Sequence, residues 1–300
     1  MAPADGSDPG AAVQAHLFKH LCRHFVSLQG LVGRVGPGGK VADVREQRFF
    51  ACSGFVVRLF GTRMWMTAGH VLKELDDLLG RDDQRLSHCC FVDYHGGGGA
   101  HQEPIQFNYA DSVRWYVDDG AAGIDVGFIR LGPHYQRLLE ANGIVAVGEE
   151  NWLSQHEVSF EQYGMLGLPA ELHEREKKLT AGGRTIAGAT HEALMMLNPS
   201  DAKPLEYPDP TYPWFVGELR DKTRIKDIEG MSGGPIFGFR GRPDGGLHYW
   251  VVAVQSRWDA KRRIIYGTHV PTVMAVLTAE AVAAFPPQEP KRPRRRRKKK

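Results

Sequence analysis

From residue 48 onward the chain breaks into short apolar stretches separated by glycine, proline or charge. "RFFACSGFVVRLFGTRMWMTAGHVL" (48–72) reads as strand, turn at Gly61–Thr62, strand. "CCFVDY", "PIQFNY", "SVRWYV", "VGFIRL", "VSFEQYGMLGL", "TIAGAT", "YPWFVGEL", "GGPIFGF", "HYWVVAVQS" and "RIIYGTHV" continue the pattern. Runs of this length, rich in β-branched and aromatic residues and bounded by turn residues, form strands. Many short strands with few helices close on one another as sandwiches or barrels, so the fold class is all-β. Helical spacing is confined to three places. Residues 11–28 set Leu17, Leu21, Phe25 and Leu28 on one face and grade toward a strand. "VLKELDDLL" (71–79) follows the first hairpin, and "TVMAVLTAEAVAAF" spans 272–285.

With 300 residues, 42% of them hydrophobic and 24% charged, the chain is long enough for one large core or two smaller ones. Its longest helical run is too short, and too interrupted by Glu280, to cross a bilayer. The opening "MAPADGSDPG" has no basic stretch followed by an apolar one, so no secretory signal is expected. Cys22, Cys52, Cys89 and Cys90 form no CxxC pair, and a bridge between adjacent Cys89 and Cys90 would be strained. Free thiols in a reducing compartment, and so a cytoplasmic location, are the simpler expectation. His16, His20 and His24 recur every four residues, but no Cys or carboxylate clearly completes a metal set, and they read as a solvated helix flank. "HGGGG" (95–99) lacks the Lys-Ser/Thr of a phosphate loop and reads as a hairpin tip.

Charge is unevenly spread. The net value is +3, yet the last ten residues, "KRPRRRRKKK", hold nine Lys or Arg, which leaves −6 for the rest. That tail cannot build a core. Its charge density suits nucleic acid, an anionic lipid surface or an acidic partner, without the interleaved aromatics that base stacking needs.

"EGMSGGPIFG" (229–238) surrounds Ser232 with Gly230, Gly233 and Gly234, more glycine than a plain turn requires. A serine hydroxyl becomes a nucleophile only beside a base that is itself oriented by a third group, with donors waiting for the developing oxyanion. Gly230 lets the loop turn so that its N–H and that of Ser232 can point the same way. The base candidate is His70, at the end of the apolar strand in "MTAGHVL". The orienting acid candidate is Asp125, opening the apolar strand "DVGFIRL", with Asp111, Asp118 and Asp119 as competitors in the same region.

In the order His70, Asp125, Ser232, with separations of 55 and 107 residues, "TAGH", "DVGFIRL" and "GMSGGP" together resemble the chymotrypsin/trypsin-like serine peptidases, in particular their small bacterial trypsin-like group. The resemblance covers roughly residues 45–285. It implies two antiparallel six-stranded β-barrels with the site between them, a C-terminal helix, and here an N-terminal helical extension. The organisation it suggests is a leader and amphipathic segment (1–45), a first barrel carrying His70 and Asp125 (46–133), a second barrel carrying Ser232 and ending in a helix (134–285), and a disordered basic tail (286–300). The implied roles are His70 as general base and acid, Asp125 as its orienting partner and Ser232 as nucleophile, with the N–H groups of Gly230 and Ser232 as oxyanion hole. No cofactor or metal is implied. "VVAVQS" (251–256) resembles the strand that pairs with substrate. Lys226, Gln255, Ser256 and Arg257 would then border the substrate, the two basic residues favouring an acidic side chain unless they are solvated or paired, for instance with Asp227 or Asp259. Two departures stand out. Met231 occupies the position where digestive members bury an Asp that receives a freed N-terminus, which speaks against activation by that route. Cys52 matches a common disulfide position, but its partner position is Val71. The implied activity is peptide-bond hydrolysis through an acyl-enzyme. The alternative is a catalytically silent module on the same fold, tethered by its tail.

Overall fold

The computed structural model describes residues 9–36, 38–41, 47–59, 61–95, 103–152, 160–172, 190–220, 225–244, 246–270 and 272–273, with side chains described from residue 15. Helix α1 (Pro9–Cys22) leads into β1 (Val26–Arg34), β2 (Arg48–Cys52), β3 (Phe55–Leu59) and β4 (Thr62–Thr67). Helix α2 (Gly69–Leu79) precedes β5 (Gln84–Asp93), β6 (Ile105–Gln106), β7 (Arg114–Asp119) and β8 (Ile124–Arg130). Helix α3 (Pro133–Ala141) connects to β9 (Gln162–Gly167), β10 (Ala193–Pro199), β11 (Trp214–Leu219), β12 (Pro235–Gly241), β13 (Leu247–Asp259) and β14 (Ile264–His269).

Every ladder between these strands is antiparallel. The second half closes as a six-stranded barrel in the order β10-β11-β14-β13-β12-β9. The first half is built as two four-stranded sheets, β2-β1-β5-β6 and β3-β4-β8-β7, linked by a bridge between Phe25 and Phe55. The architecture fits a chymotrypsin-like double barrel, with the first barrel composed of two sheets rather than one continuous six-stranded ladder. The expected helix over 272–285 and the basic tail lie almost wholly outside the described residues. Helix α3 was not anticipated: "PHYQRLLEA" is short and half polar, and its proline at the first helical positions was the one start signal.

Strand β8 shows how the sequence pattern positions the site. Successive side chains alternate between faces. Ile124, Val126 and Phe128 enter a core shared with Phe55, Val57, Met64 and Met66. Ile129 and Leu131 enter a second core with Trp65, Phe91 and, from α2, Leu72 and Leu75. Both faces are covered, which is why β8 reads as a nearly unbroken apolar run. Asp125 belongs to the same set as Ile129, the face that α2 covers, and so it is aimed at the start of that helix.

His24 is not a solvated flank. It is 2% exposed, held between Val145 O (2.6 Å from Nδ1) and Tyr249 Oη (2.7 Å from Nε2). A carbonyl only accepts, so Nδ1 carries the hydrogen and Nε2 is the acceptor for the Tyr249 hydroxyl. Burial drives the His24 pKa down to about 3; the Val145 bond opposes this, and Arg23 and His20 add to it. Between about pH 6.5 and pH 3 the unfolded chain therefore binds a proton that the folded chain refuses, and stability falls as pH falls through that window. Denaturant unfolding across pH 4–6 should show a slope that His24→Gln reduces by about 1.4 kcal/mol per pH unit. Equal slopes in the two proteins would refute this.

Candidate active site

Asp125 is fully buried, and a buried carboxylate persists only when its oxygens are paired. Here both are paired with one residue. Oδ1 accepts the backbone N–H of His70 at 2.9 Å, and Oδ2 lies 2.6 Å from His70 Nδ1. His70 is the second residue of α2, whose cap, Ala68, offers no side-chain acceptor. First-turn N–H groups lack intrahelical partners and carry the positive end of the helix dipole. Asp125 thus caps the helix and orients the imidazole with the same carboxylate. Since Oδ2 accepts, Nδ1 bears the hydrogen and the Nε2 lone pair is turned away from Asp125. The His70 side chain is 27% exposed, so that lone pair is reachable.

The backbone of Asp125 is fastened from the second barrel. Its N–H donates to Thr268 Oγ1 (2.8 Å), and its carbonyl accepts from Thr268 Oγ1 (3.1 Å) and Ser256 Oγ (3.3 Å). Asp118 stands directly across the β7–β8 ladder from Asp125 and takes Lys73 at 2.9 Å and Arg257 at 3.7 Å. Asp118 therefore belongs to an ion-pair chain beside the site, while Asp111 bonds to Asn108.

For His70, burial pulls the pKa down, but the Asp125 hydrogen bond and charge, with smaller pulls from Glu74 and Asp118, outweigh it and leave the pKa above the ordinary histidine value. The stability this pair adds is complete below about pH 6.5 and is lost as pH rises through the folded-state pKa of His70.

Ser232 sits on a turn between Ile228 and Gly234. Met231 N–H donates to Ile228 O (3.1 Å) and Gly234 N–H to Met231 O (2.9 Å). Gly230 (φ +87°) and Gly233 (φ +90°) take the left-handed conformation that favours glycine. Gly233 is also pressed against the strand that leads to His70: a Cβ there would collide with the Thr67 hydroxyl and the Ser53 carbonyl. The serine turn and the His70 strand end are thus packed backbone to backbone. Among the described residues, the N–H groups of Gly230 and Ser232 donate to nothing, and no hydrogen bond joins His70 Nε2 to Ser232 Oγ. Met231 is fully buried in an apolar cluster with Met165, Leu219, Ile228 and Ile236.

The residues expected along the substrate strand have other engagements. The Ser256 hydroxyl is turned inward to Asp125 O, Val254 O and Thr268. Gln255 is 1% exposed, with Nε2 3.3 Å from Arg257 O and Oε1 lacking a partner among the described residues. Lys226 is exposed, and its backbone N–H bonds to Glu171. Arg257 is paired with Asp118 and Glu206 rather than with Asp227 or Asp259, and lies over the Tyr207 ring. Sequence reasoning did not find Ser53 and Thr268, whose hydroxyls are each buried and each bridge the two halves. All four cysteines are free. Among the described residues no His, Cys, Asp and Glu group is arranged to hold a metal, and no helix is long and apolar enough to cross a membrane.

No protein-family model matches the chain, and no curated protein matches it. Among solved structures it is similar to the protease Anisep from Arthrobacter nicotinovorans, at 16% identity and a TM-score of 0.45 over 87% of this chain and 96% of that one. It is also similar to the thermostable serine protease AL20 from an extremophilic microorganism (18%, TM-score 0.38, 81% and 90% of the two chains). A Glu endopeptidase matches at 12%, with a TM-score of 0.39, over 85% and 87%.

The geometry at His70 is open to direct measurement. By NMR its imidazole should titrate above about pH 6.5, and Asp125→Asn should move the midpoint down. A midpoint at or below 6.5 in the unsubstituted protein would contradict the pairing.

Proposed function

We propose that the chain is a serine endopeptidase that cleaves peptide bonds through His70, Asp125 and Ser232. The observation that carries this reading is the double hold of the buried Asp125 carboxylate on His70, which turns the Nε2 lone pair away from the acid, at the end of a strand against which the glycine-framed turn of Ser232 is packed. Such an imidazole takes the proton of Ser232 Oγ as the oxygen attacks a substrate carbonyl carbon. Negative charge then develops on the carbonyl oxygen, where the N–H groups of Gly230 and Ser232 supply two fixed donors. Collapse of the tetrahedral species passes the proton from Nε2 to the departing amine and leaves an acyl-enzyme. Water, deprotonated by the same nitrogen, then releases the acid. The bond between Nε2 and Ser232 Oγ must close in the substrate complex, as catalytic hydrogen bonds commonly tighten on binding.

The reading includes no acidic-substrate preference through Lys226 or Arg257, since the first side chain is exposed and the second is paired with two carboxylates. A role for 291–300 in holding nucleic acid or an anionic surface remains a proposal drawn from charge alone, since those residues lie outside the described set. The silent-module alternative gains nothing from the site, where acid, base and hydroxyl are all present.

Ser232→Ala should lower kcat on a peptide substrate by about 10⁶-fold. A fluorophosphonate probe should label the unsubstituted protein and neither Ser232→Ala nor His70→Ala. Labelling that survives Ser232→Ala would place the nucleophile elsewhere, and an unlabelled parent protein would overturn the reading.

A further inference from the structure

Three consecutive peptide units of the serine turn are each held by their carbonyl. Glu229 O accepts Ala170 N–H at 2.6 Å, Gly230 O accepts the Ser53 hydroxyl at 2.9 Å, and Met231 O accepts Gly234 N–H at 2.9 Å. In a trans peptide unit the N–H points opposite to its carbonyl. Fixing Glu229 O therefore fixes the direction of Gly230 N–H, and fixing Met231 O fixes Ser232 N–H. The peptide between them sets these two donors relative to each other; its N–H donates to Ile228 O at 3.1 Å, and its carbonyl is held by a side chain.

That side chain has no freedom to do otherwise. Ser53 is fully buried between β2 and β3, and its Oγ accepts Leu168 N–H at 2.9 Å. A hydroxyl that accepts along one direction directs its own hydrogen elsewhere, here to Gly230 O. The Ser53 carbonyl in turn accepts Thr67 Oγ1–H at 2.8 Å, three residues before His70. Ser53 thus joins the turn, the end of β9 and the His70 strand at one point. Below it, Met231 fills an apolar pocket.

We infer that Ser53 is a positioning residue for the oxyanion site: its hydroxyl holds the Gly230–Met231 peptide so that Gly230 N–H and Ser232 N–H stay convergent before substrate arrives. This regulates the same site, and rests on the peptidase reading. The turn is set by contacts within the folded chain as it stands, with no ion pair needed beneath Met231.

The test uses the full chain and compares kcat, KM and phosphonylation rate for Ser53→Ala. Losing one oxyanion donor costs about 10²–10³ in kcat, and loosening two should cost about 10–100-fold. KM should stay within about twofold, and the acid limb of the pH profile should not move, because the His70–Asp125 pair is intact. Ser53→Thr and Ser53→Val have the same shape and differ only in the hydroxyl. Thr should retain at least about tenfold more kcat than Val, whatever either costs in stability. Val57→Ala, a core truncation in β3, should lower Tm while leaving kcat unchanged. A parent protein that is active together with an unaffected Ser53→Ala, or with equal Thr and Val variants, overturns this inference alone. A parent protein that does not react overturns the peptidase reading and this inference with it.

Discussion

A carboxylate with no exposure to water and, among the described residues, one residue for a partner constrains everything around it. Because Asp125 caps α2 through one oxygen and fixes the His70 ring through the other, the helix start, the tautomer and the reach of Nε2 are a single arrangement. Placing the acid requires β8 to present its odd-numbered face to α2, and that face is set by the alternation that buries Ile129 and Leu131 on one side and Val126 and Phe128 on the other. A shift of one residue in the β7–β8 or β4–β8 register would turn Asp125 into the opposite core, where no partner waits. Strand register in the first half therefore decides which way the Asp125 carboxylate points.

The second half contributes in a different manner. It carries Ser232 on a turn whose direction comes from backbone bonds and one hydroxyl, and it grips the Asp125 backbone through Thr268 and Ser256. Neither half alone carries His70, Asp125 and Ser232. The two halves are joined at this point by hydroxyl-to-backbone bonds of Ser53, Ser256 and Thr268, which are directional and carry no net charge to be screened by salt. The ion pairs of Lys73, Asp118, Arg257 and Glu206 lie further out, where partial exposure makes each worth less.

Much of this was legible in the residues. Strand runs, the helix after His70 and the all-β class follow from periodicity and turn chemistry. His70, Asp125 and Ser232 drew notice for different reasons, small neighbours at a strand end for His70, the opening of an apolar strand for Asp125 and the surrounding glycines for Ser232, and the structure pairs the first two. Alone, Asp125 could not be separated from Asp118, since both lie near His70 and only strand pairing tells which is buried. Ser53 and Thr268 were invisible because a serine before a glycine and a threonine near a strand end are ordinary surface residues, and only tertiary packing buries them. His24 was misread for the same reason: its four-residue spacing from His16 and His20 suggested a common wet face, whereas the chain turns out of the helix at Cys22 and carries His24 under Tyr249. The sequence left open whether Arg257 is paired, and the structure gives its partners as Asp118 and Glu206, which lie far from it in sequence.

The grip of Thr268 and Ser256 on Asp125 also orders events during synthesis. Residues 70, 125 and 232 leave the ribosome before 256 and 268 do. A nascent chain that already contains His70, Asp125 and Ser232 still lacks the two hydroxyls that hold the Asp125 backbone, so the seating of that carboxylate is completed only as the last two barrel strands pair. Products that end before residue 256 lack every one of these bonds to the Asp125 backbone, so chain order makes the acid the last of the three groups to be fully held.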